Sequence, residues 1–320
     1  MGDRALPETM TALRVHALGS EPRPDRLPLP GPGPDEVLVR LAASVIGHHD
    51  LSVADGRLPV HPPLPYVPGL EGAGRVASVG ADVDRERFPA GALVRVYAGG
   101  LGATRPGTWA EYVAAPARFV TPVPETLEPS VAAACGSVAL TAWSALELGG
   151  LLPDESIAVT GASGAVGSLV LQLAGLRDVS RTVAWVRSPD RAGAFPPGTE
   201  VVADDDPVEP VDLLVDTVGG PRLAQRLHSV RPGGRAVLVG YTAGERVCFE
   251  LPDLLSADVS LRPLNMRRRR LPPDLESSLV GDVAAGRLRV ATDVVELPGL
   301  AGAIARLREG RAAGRVVLTW

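Results

Sequence analysis

Over the first third of the chain, apolar residues come in short runs that alternate with polar ones and are cut by glycine and proline. Met10 opens a strand-like run, TALRVHAL; Val37-Leu38-Val39-Arg40-Leu41 alternates weakly, and residues 73–79 (AGRVASV) alternate more clearly. Runs at 93–96 and 110–113 follow, with a loop at 99–107 between them. Period-two runs bounded by turn residues predict a mainly antiparallel β domain. Near Glu128 the texture changes. Residues 131–148 predict a helix, 157–160 a strand and 167–176 a helix, and apolar runs of strand length recur at 182–186, 201–202, 213–215 and 236–239. Apolar strands alternating with helices predict a parallel sheet covered on both faces. The closing stretch, 288–320, predicts a strand, a helix over 299–309 and a final strand over 315–319.

Composition narrows the class. A length of 320 residues with 45% hydrophobic and 22% charged residues suits a soluble α/β protein of one large or two ordinary domains. Two cysteines, Cys135 and Cys248, exclude a disulfide framework and a four-thiolate zinc lobe. A net charge of −5 and 4% aromatics argue against a nucleic-acid partner. All 32 basic residues are arginine, which excludes Schiff-base and P-loop lysine chemistry. The longest uncharged stretch, 131–146, falls short of the roughly 20 residues of a membrane span and carries Gly136, Ser137, Thr141 and Ser144. It is expected to be a buried helix, with no membrane contact. The polar opening MGDRALPET has no apolar signal region, so residues 1–9 are expected to be a disordered leader and the protein cytoplasmic.

The sharpest local signal is IAVTGASGAVGSLVLQLAG, residues 157–175. A buried strand runs into Gly161, Gly164 and Gly167, and a helix starts at once. Bare backbone lets a pyrophosphate approach, and the free N–H groups of a helix start, at Ala165, Val166 and Gly167, hold it. The spacing G-x-x-G-x-x-G departs from the common G-x-G-x-x-G, and a plain structural turn is the alternative. The next strand ends in Arg187-Ser188-Pro189-Asp190-Arg191, with no acid at its tip. Arg187, Ser188 and Arg191 therefore point to the 2′-phosphate of NADPH. Against this, the arginines are open to reading as solvated helix-start residues, and Asp204-Asp205-Asp206 follows the next strand, where an adenosine approaches in such folds.

Together these segments resemble the medium-chain dehydrogenase/reductase superfamily, in particular its zinc-free quinone oxidoreductase branch. The resemblance rests on PPLPYVPGLEGAGRVASVGADV (62–83), GTWAEYVAAP (107–116), LTAWSAL (140–146), VTGASGAVGS (159–168), VDTVGG (215–220), RPGGRAVLVG (231–240) and GRVVL (314–318). It implies a GroES-like, mainly antiparallel β catalytic domain over residues 1–122 and 266–320, flanking a doubly wound Rossmann domain over 123–265. It also implies an active site in the cleft between them and a homodimer or homotetramer. Thr141 would lie beside the nicotinamide, and Thr217 and Val218 would approach its carboxamide side. Gly240, Tyr241 and Thr242 would line the cofactor pocket, where Tyr241 either donates a hydrogen bond or simply packs.

The departures from the pattern shape the chemistry expected. Zinc alcohol dehydrogenases carry a cysteine ligand where this chain has Gly47 and a Gly-His-Glu run where it has Gly69-Leu70-Glu71. Cys135 falls two residues before the position matching the third ligand, and is expected to be a small buried hydrophobe. A catalytic zinc needs three donors and an open position, so no metal is expected. Without a Lewis acid, electron-poor acceptors become the natural substrates. Related enoyl reductases place a proton-donating tyrosine where this chain has Leu58, and Tyr66 lies too far along to match. The asparagine common at position 47 in quinone reductases is absent as well. By the resemblance His48 would touch the cofactor and His49 would face the substrate as a general acid; two loop histidines capping a turn are the alternative. His16, His61 and His228 have no such placement. The run from Arg267 to Arg270 is either a solvated rim or a lure for an anionic substrate.

The function expected is zinc-independent, NADPH-dependent hydride transfer to a quinone or a conjugated C=C bond, as in a secondary-metabolite tailoring reductase. The alternatives are a non-redox cyclase or isomerase in which His49 shuttles protons, and a cofactor-binding scaffold.

Overall fold

The computed structural model describes residues 6–58, 63–187, 195–204 and 206–320. By packing, the chain divides into two units: Met1–Ser137 with Glu276–Trp320, and Val138–Leu275. The sequence placed these changes earlier, after residues 122 and 265. The long helix α2 (Pro129–Gly149) accounts for the first difference, because its opening turns to Ser137 belong to the first unit.

In the first unit, β1 (Thr9–Arg14) and β2 (Arg23–Pro28) form an antiparallel ribbon. Thr9 is thus already strand, and Met10 is buried in the core, so the expected leader ends before residue 9; residues 1–5 lie outside the description. β2, with the sequence RPDRLP, carries no apolar pattern; its prolines are tolerated because it pairs with β1 alone. The main sheet is built on β3 (Glu36–Ile46), which is followed by the short helix α1 (His48–Ala54). Antiparallel to β3 run β4 (Glu71–Val79) and, beside its first half, β6 (Tyr112–Pro116); β5 (Leu93–Tyr97) and β7 (Val120–Pro122) continue outward from β4. β3 alternates only weakly in sequence because both its faces are covered. Leu38 and Ile46 enter one apolar core, and Val37, Val39 and Leu41 enter the other.

The second unit is a six-stranded, wholly parallel sheet. Its strands are β8 (Ser156–Thr160), β9 (Arg181–Val186), β10 (Glu200–Ala203), β11 (Val211–Asp216), β12 (Val230–Leu238) and β13 (Ser260–Pro263). They lie in the order β10-β9-β8-β11-β12-β13, with helices α3 (Ala165–Ala174), α4 (Leu223–Arg226) and α5 (Leu251–Ala257) in the connections. The order reverses between β8 and β11, the point at which doubly wound sheets open a crevice. The chain then returns to the first unit through α6 (Leu275–Ala284), β14 (Thr292–Val295), α7 (Leu300–Arg308) and β15 (Arg315–Thr319), the last pairing with the end of β3. α2 is long and apolar enough to cross a membrane by composition, yet 67% of that window is buried inside the protein, as in a core helix.

Candidate functional site

At the carboxyl end of β8 the chain must turn sharply into α3. Gly161 takes φ +60°, a left-handed conformation, and a Cβ there would lie 2.5 Å from Thr217 Oγ1. Gly164, in extended conformation, is the N-cap of α3 and brings no side chain of its own to the cap. The first intrahelical bond runs from Ser168 N–H to Gly164 O at 2.9 Å, which leaves the N–H groups of Ala165, Val166 and Gly167 as the free donors of the helix start. Gly167 seats the helix on the turn: a Cβ at this position would meet Gly161 O at 2.4 Å.

The ends of β11 and β12 close on this turn. Asp216, fully buried, accepts from Thr160 Oγ1 at 2.6 Å and from Gly219 N–H at 2.7 Å. Thr217 Oγ1 donates to Thr160 O at 2.7 Å, so the loop carrying Thr217 and Val218 is pinned to the end of β8. Gly240 passes so near that a Cβ would lie 2.1 Å from Thr217 O. Burial pushes the Asp216 carboxyl up, while Thr160, Gly219 and Arg226 pull the other way. Arg226, itself buried, bonds Asp204 at 2.8 Å and packs over the Trp185 ring at 5.8 Å. Asp204 is therefore engaged by a guanidinium, which weakens the idea that the acidic run meets an adenosine.

The structure thus gathers Gly161, Gly164, Ala165, Val166, Gly167, Thr217, Val218 and Gly240 at one edge of the parallel sheet. Tyr241 follows β12 with 48% of its surface exposed, next to an exposed Thr242. Thr141 is half-buried on α2. Arg187 is exposed just past β9 and makes no ion pair or hydrogen bond among the described residues. Ser188, Arg191, His61 and Asp205 lie outside them. Asp216 and Thr160 escaped the sequence reading; their signal was a polar residue closing an otherwise apolar strand.

A second polar cluster lies in the first unit. His48 and His49 open α1, but neither caps it: Asp50 does, accepting from Gly47 N–H at 2.8 Å. Its other oxygen accepts from Leu70 N–H at 2.9 Å. Burial pushes the Asp50 carboxyl up, opposed by the Gly47 N–H, His49, Arg315 and the Leu70 N–H. Glu71, also buried, accepts from Ser137 Oγ at 2.6 Å and from Ser137 N–H at 3.4 Å, and pairs with Arg315 and Arg95. Arg315 is lowered to about 10 by burial, with Asp50 pulling back. His48 has an exposed edge, yet desolvation of its ring, then Arg315 and Arg57, lower it below the ordinary imidazole value. The Tyr66 phenol is pushed up to about 12, by burial first and then by Asp50 and Asp55. Cys135 is fully buried and its thiol raised by burial. His16 Nε2 lies 2.9 Å from an Asp25 carboxylate oxygen, and His228 is exposed. Arg267, Arg268 and Arg270 face solvent. Among the described residues, no group of three or more His, Cys, Asp or Glu side chains is placed to hold a metal ion.

Comparison with known proteins matches residues 33–125 to the alcohol dehydrogenase GroES-like domain and residues 197–318 to the zinc-binding dehydrogenase family. An alcohol dehydrogenase of Rhizobium meliloti is 30% identical over 97% of this chain and 98% of its own. The crystal structure of an NAD-dependent alcohol dehydrogenase superposes with a TM-score of 0.86 at 27% identity, covering 97% of this chain and 100% of the other. A provisionally assigned NADPH:quinone reductase of Bacillus thuringiensis superposes with a TM-score of 0.81 at 25% identity, covering 98% and 99%.

Proposed function

Because the chain belongs to the medium-chain dehydrogenase/reductase superfamily, we propose that it is an NADPH-dependent reductase that works without a catalytic metal. Its acceptor is a quinone or a conjugated carbon–carbon double bond. An oxidoreductase with a nicotinamide cofactor is what its relatives support, and some of them are alcohol dehydrogenases and others quinone reductases. The observation that carries the reading is the cradle at the start of α3, where bare glycines and three free N–H groups stand at the sheet's crossover point.

Two further observations sharpen it. Arg187 at the tip of β9 puts a guanidinium, uncommitted among the described residues, where an acid would hold an unphosphorylated ribose, which favours NADPH. The donor set does not fit a catalytic zinc: Gly47 and Leu70 offer no side-chain donor, and Asp50 and Glu71 are already engaged by N–H groups, a hydroxyl and guanidiniums.

When bound, the cofactor supplies a hydride from nicotinamide C4. The chain's residues hold and orient it. Ala165, Val166 and Gly167 donate to the pyrophosphate, Arg187 pairs with the 2′-phosphate, and the pinned Thr217–Val218 loop fixes the nicotinamide end. His49 is the residue that would face the substrate as its general acid. His48, lowered in basicity, offers a neutral ring N–H to the cofactor instead of a full charge. The protein would act as a cytoplasmic homodimer; β13 is the outer strand of its sheet, and Leu251 and Leu255 of α5 are exposed nearby in sequence.

The test is direct. NADPH and NADH are titrated against the purified protein by nicotinamide fluorescence, NADPH oxidation is followed across quinones, enones and simple ketones, and zinc is measured by elemental analysis. Tight NADPH binding with turnover of quinones or enones and no zinc is expected. Indifference to both nucleotides, or stoichiometric zinc with alcohol oxidation, overturns the reading.

A further inference from the structure

We propose that Arg95 is the internal counter-cation of the first unit, balancing buried carboxylates beside the positions where this chain lacks zinc-ligand side chains. Its guanidinium, on β5, is completely buried, and a charge taken out of water is costly unless matched. Glu71 Oε2 from β4 lies 3.4 Å from its Nη2, Glu276 at the start of α6 pairs with its Nη1, and the Tyr97 ring faces it at 5.5 Å. Arg315 from β15 shares Glu71, while Asp50 and His48 from α1 act on Arg315 or feel it. Two guanidiniums therefore face three carboxylates, Asp50, Glu71 and Glu276.

Gly47, Leu70 and Ser137 stand at the three positions matching zinc ligands. Asp50 takes the N–H groups of the first two, at 2.8 and 2.9 Å, and Glu71 takes the hydroxyl of the third at 2.6 Å. Two carboxylates thus gather the three segments, and the arginines neutralise them. Space for Arg95 comes from Gly136: a Cβ there would lie 2.0 Å from the guanidinium carbon, so any side chain at this position would have to displace the Arg95 head group.

This rests on the metal-free reading for its origin, but its test is separate. Thermal midpoints are compared for the parent, Arg95→Met, Glu71→Gln/Glu276→Gln and the triple variant. Arg95→Met in the parent should lower the midpoint by about 6–12 °C, because it strands buried carboxylates. In the Gln/Gln background the same substitution should leave the midpoint unchanged or raise it, since Arg95 is then the stranded charge. Gly136→Ala should lower the midpoint in the parent and much less in Arg95→Met. Equal losses from Arg95→Met in both backgrounds mean that Arg95 only packs, and overturn the assignment. If Arg95→Met alone does not fold, a folded triple variant supports it and an unfolded one refutes it. Zinc in the purified parent, read by elemental analysis, counts against the metal-free reading and is distinguishable from these midpoints.

Discussion

Gly240→Ala isolates the packing of the proposed cofactor cradle. Residue 240 needs no left-handed backbone, so the substitution acts through contact alone. The new Cβ would lie 2.1 Å from the backbone oxygen of Thr217, where 3.4 Å begins ordinary contact, a shortfall of about 1.3 Å. Backbone cannot swing aside as a side chain does, so the ends of β11 and β12 must part, and the Thr217–Val218 loop moves with them. Overpacking of this kind costs about 1–3 kcal/mol. If cofactor binding has to press the loop back, the same energy returns as an NADPH affinity weakened about 5- to 150-fold. Nicotinamide fluorescence reads the affinity, and denaturant unfolding followed by circular dichroism reads the midpoint. Gly281→Ala, in α6 with nothing within 4 Å of its new Cβ, is the control and should stabilise by about 0.5–1 kcal/mol. A Gly240→Ala protein with parental affinity and parental midpoint refutes the reasoning.

Asp216→Ala removes a buried acceptor from Thr160 and Gly219 at once and should destabilise by about 3–6 kcal/mol, with Asp216→Asn costing clearly less; chemical denaturation decides. Arg187→Ala should weaken NADPH about tenfold or more and leave NADH unchanged; equal effects on both nucleotides would remove the 2′-phosphate from its role. His48 is held below its ordinary value of 6.5 when folded, so as pH falls through that value the unfolded chain takes up its proton first and stability is lost. His48→Gln should therefore flatten the acid side of a midpoint-against-pH curve below about pH 6.5, with no change above it.

The second unit was legible because its signals are local. β8, the three glycines and the opening of α3 are neighbours along the chain, and period, turn chemistry and the free donors of a helix start are all properties of a short window. Strands that went unread, among them β2, β7 and β13, carry the sequences RPDRLP, VTP and SLRP, whose pairing is decided by a partner and not by their own alternation. α1 was missed for a similar reason: its cap, Asp50, is held as much by Leu70 as by Gly47.

From order and composition alone came the two-unit α/β plan, the glycine cradle, the arginine at the tip of β9 and the absence of ligand side chains at residues 47 and 70. Only the folded chain could decide which side chains gather beside those positions. Glu71, Arg95, Ser137, Glu276 and Arg315 are distant in sequence and meet because β4, β5, α2, α6 and β15 converge. A buried charge is meaningful only with the charges around it, and those neighbours are set by tertiary packing, which no local pattern encodes.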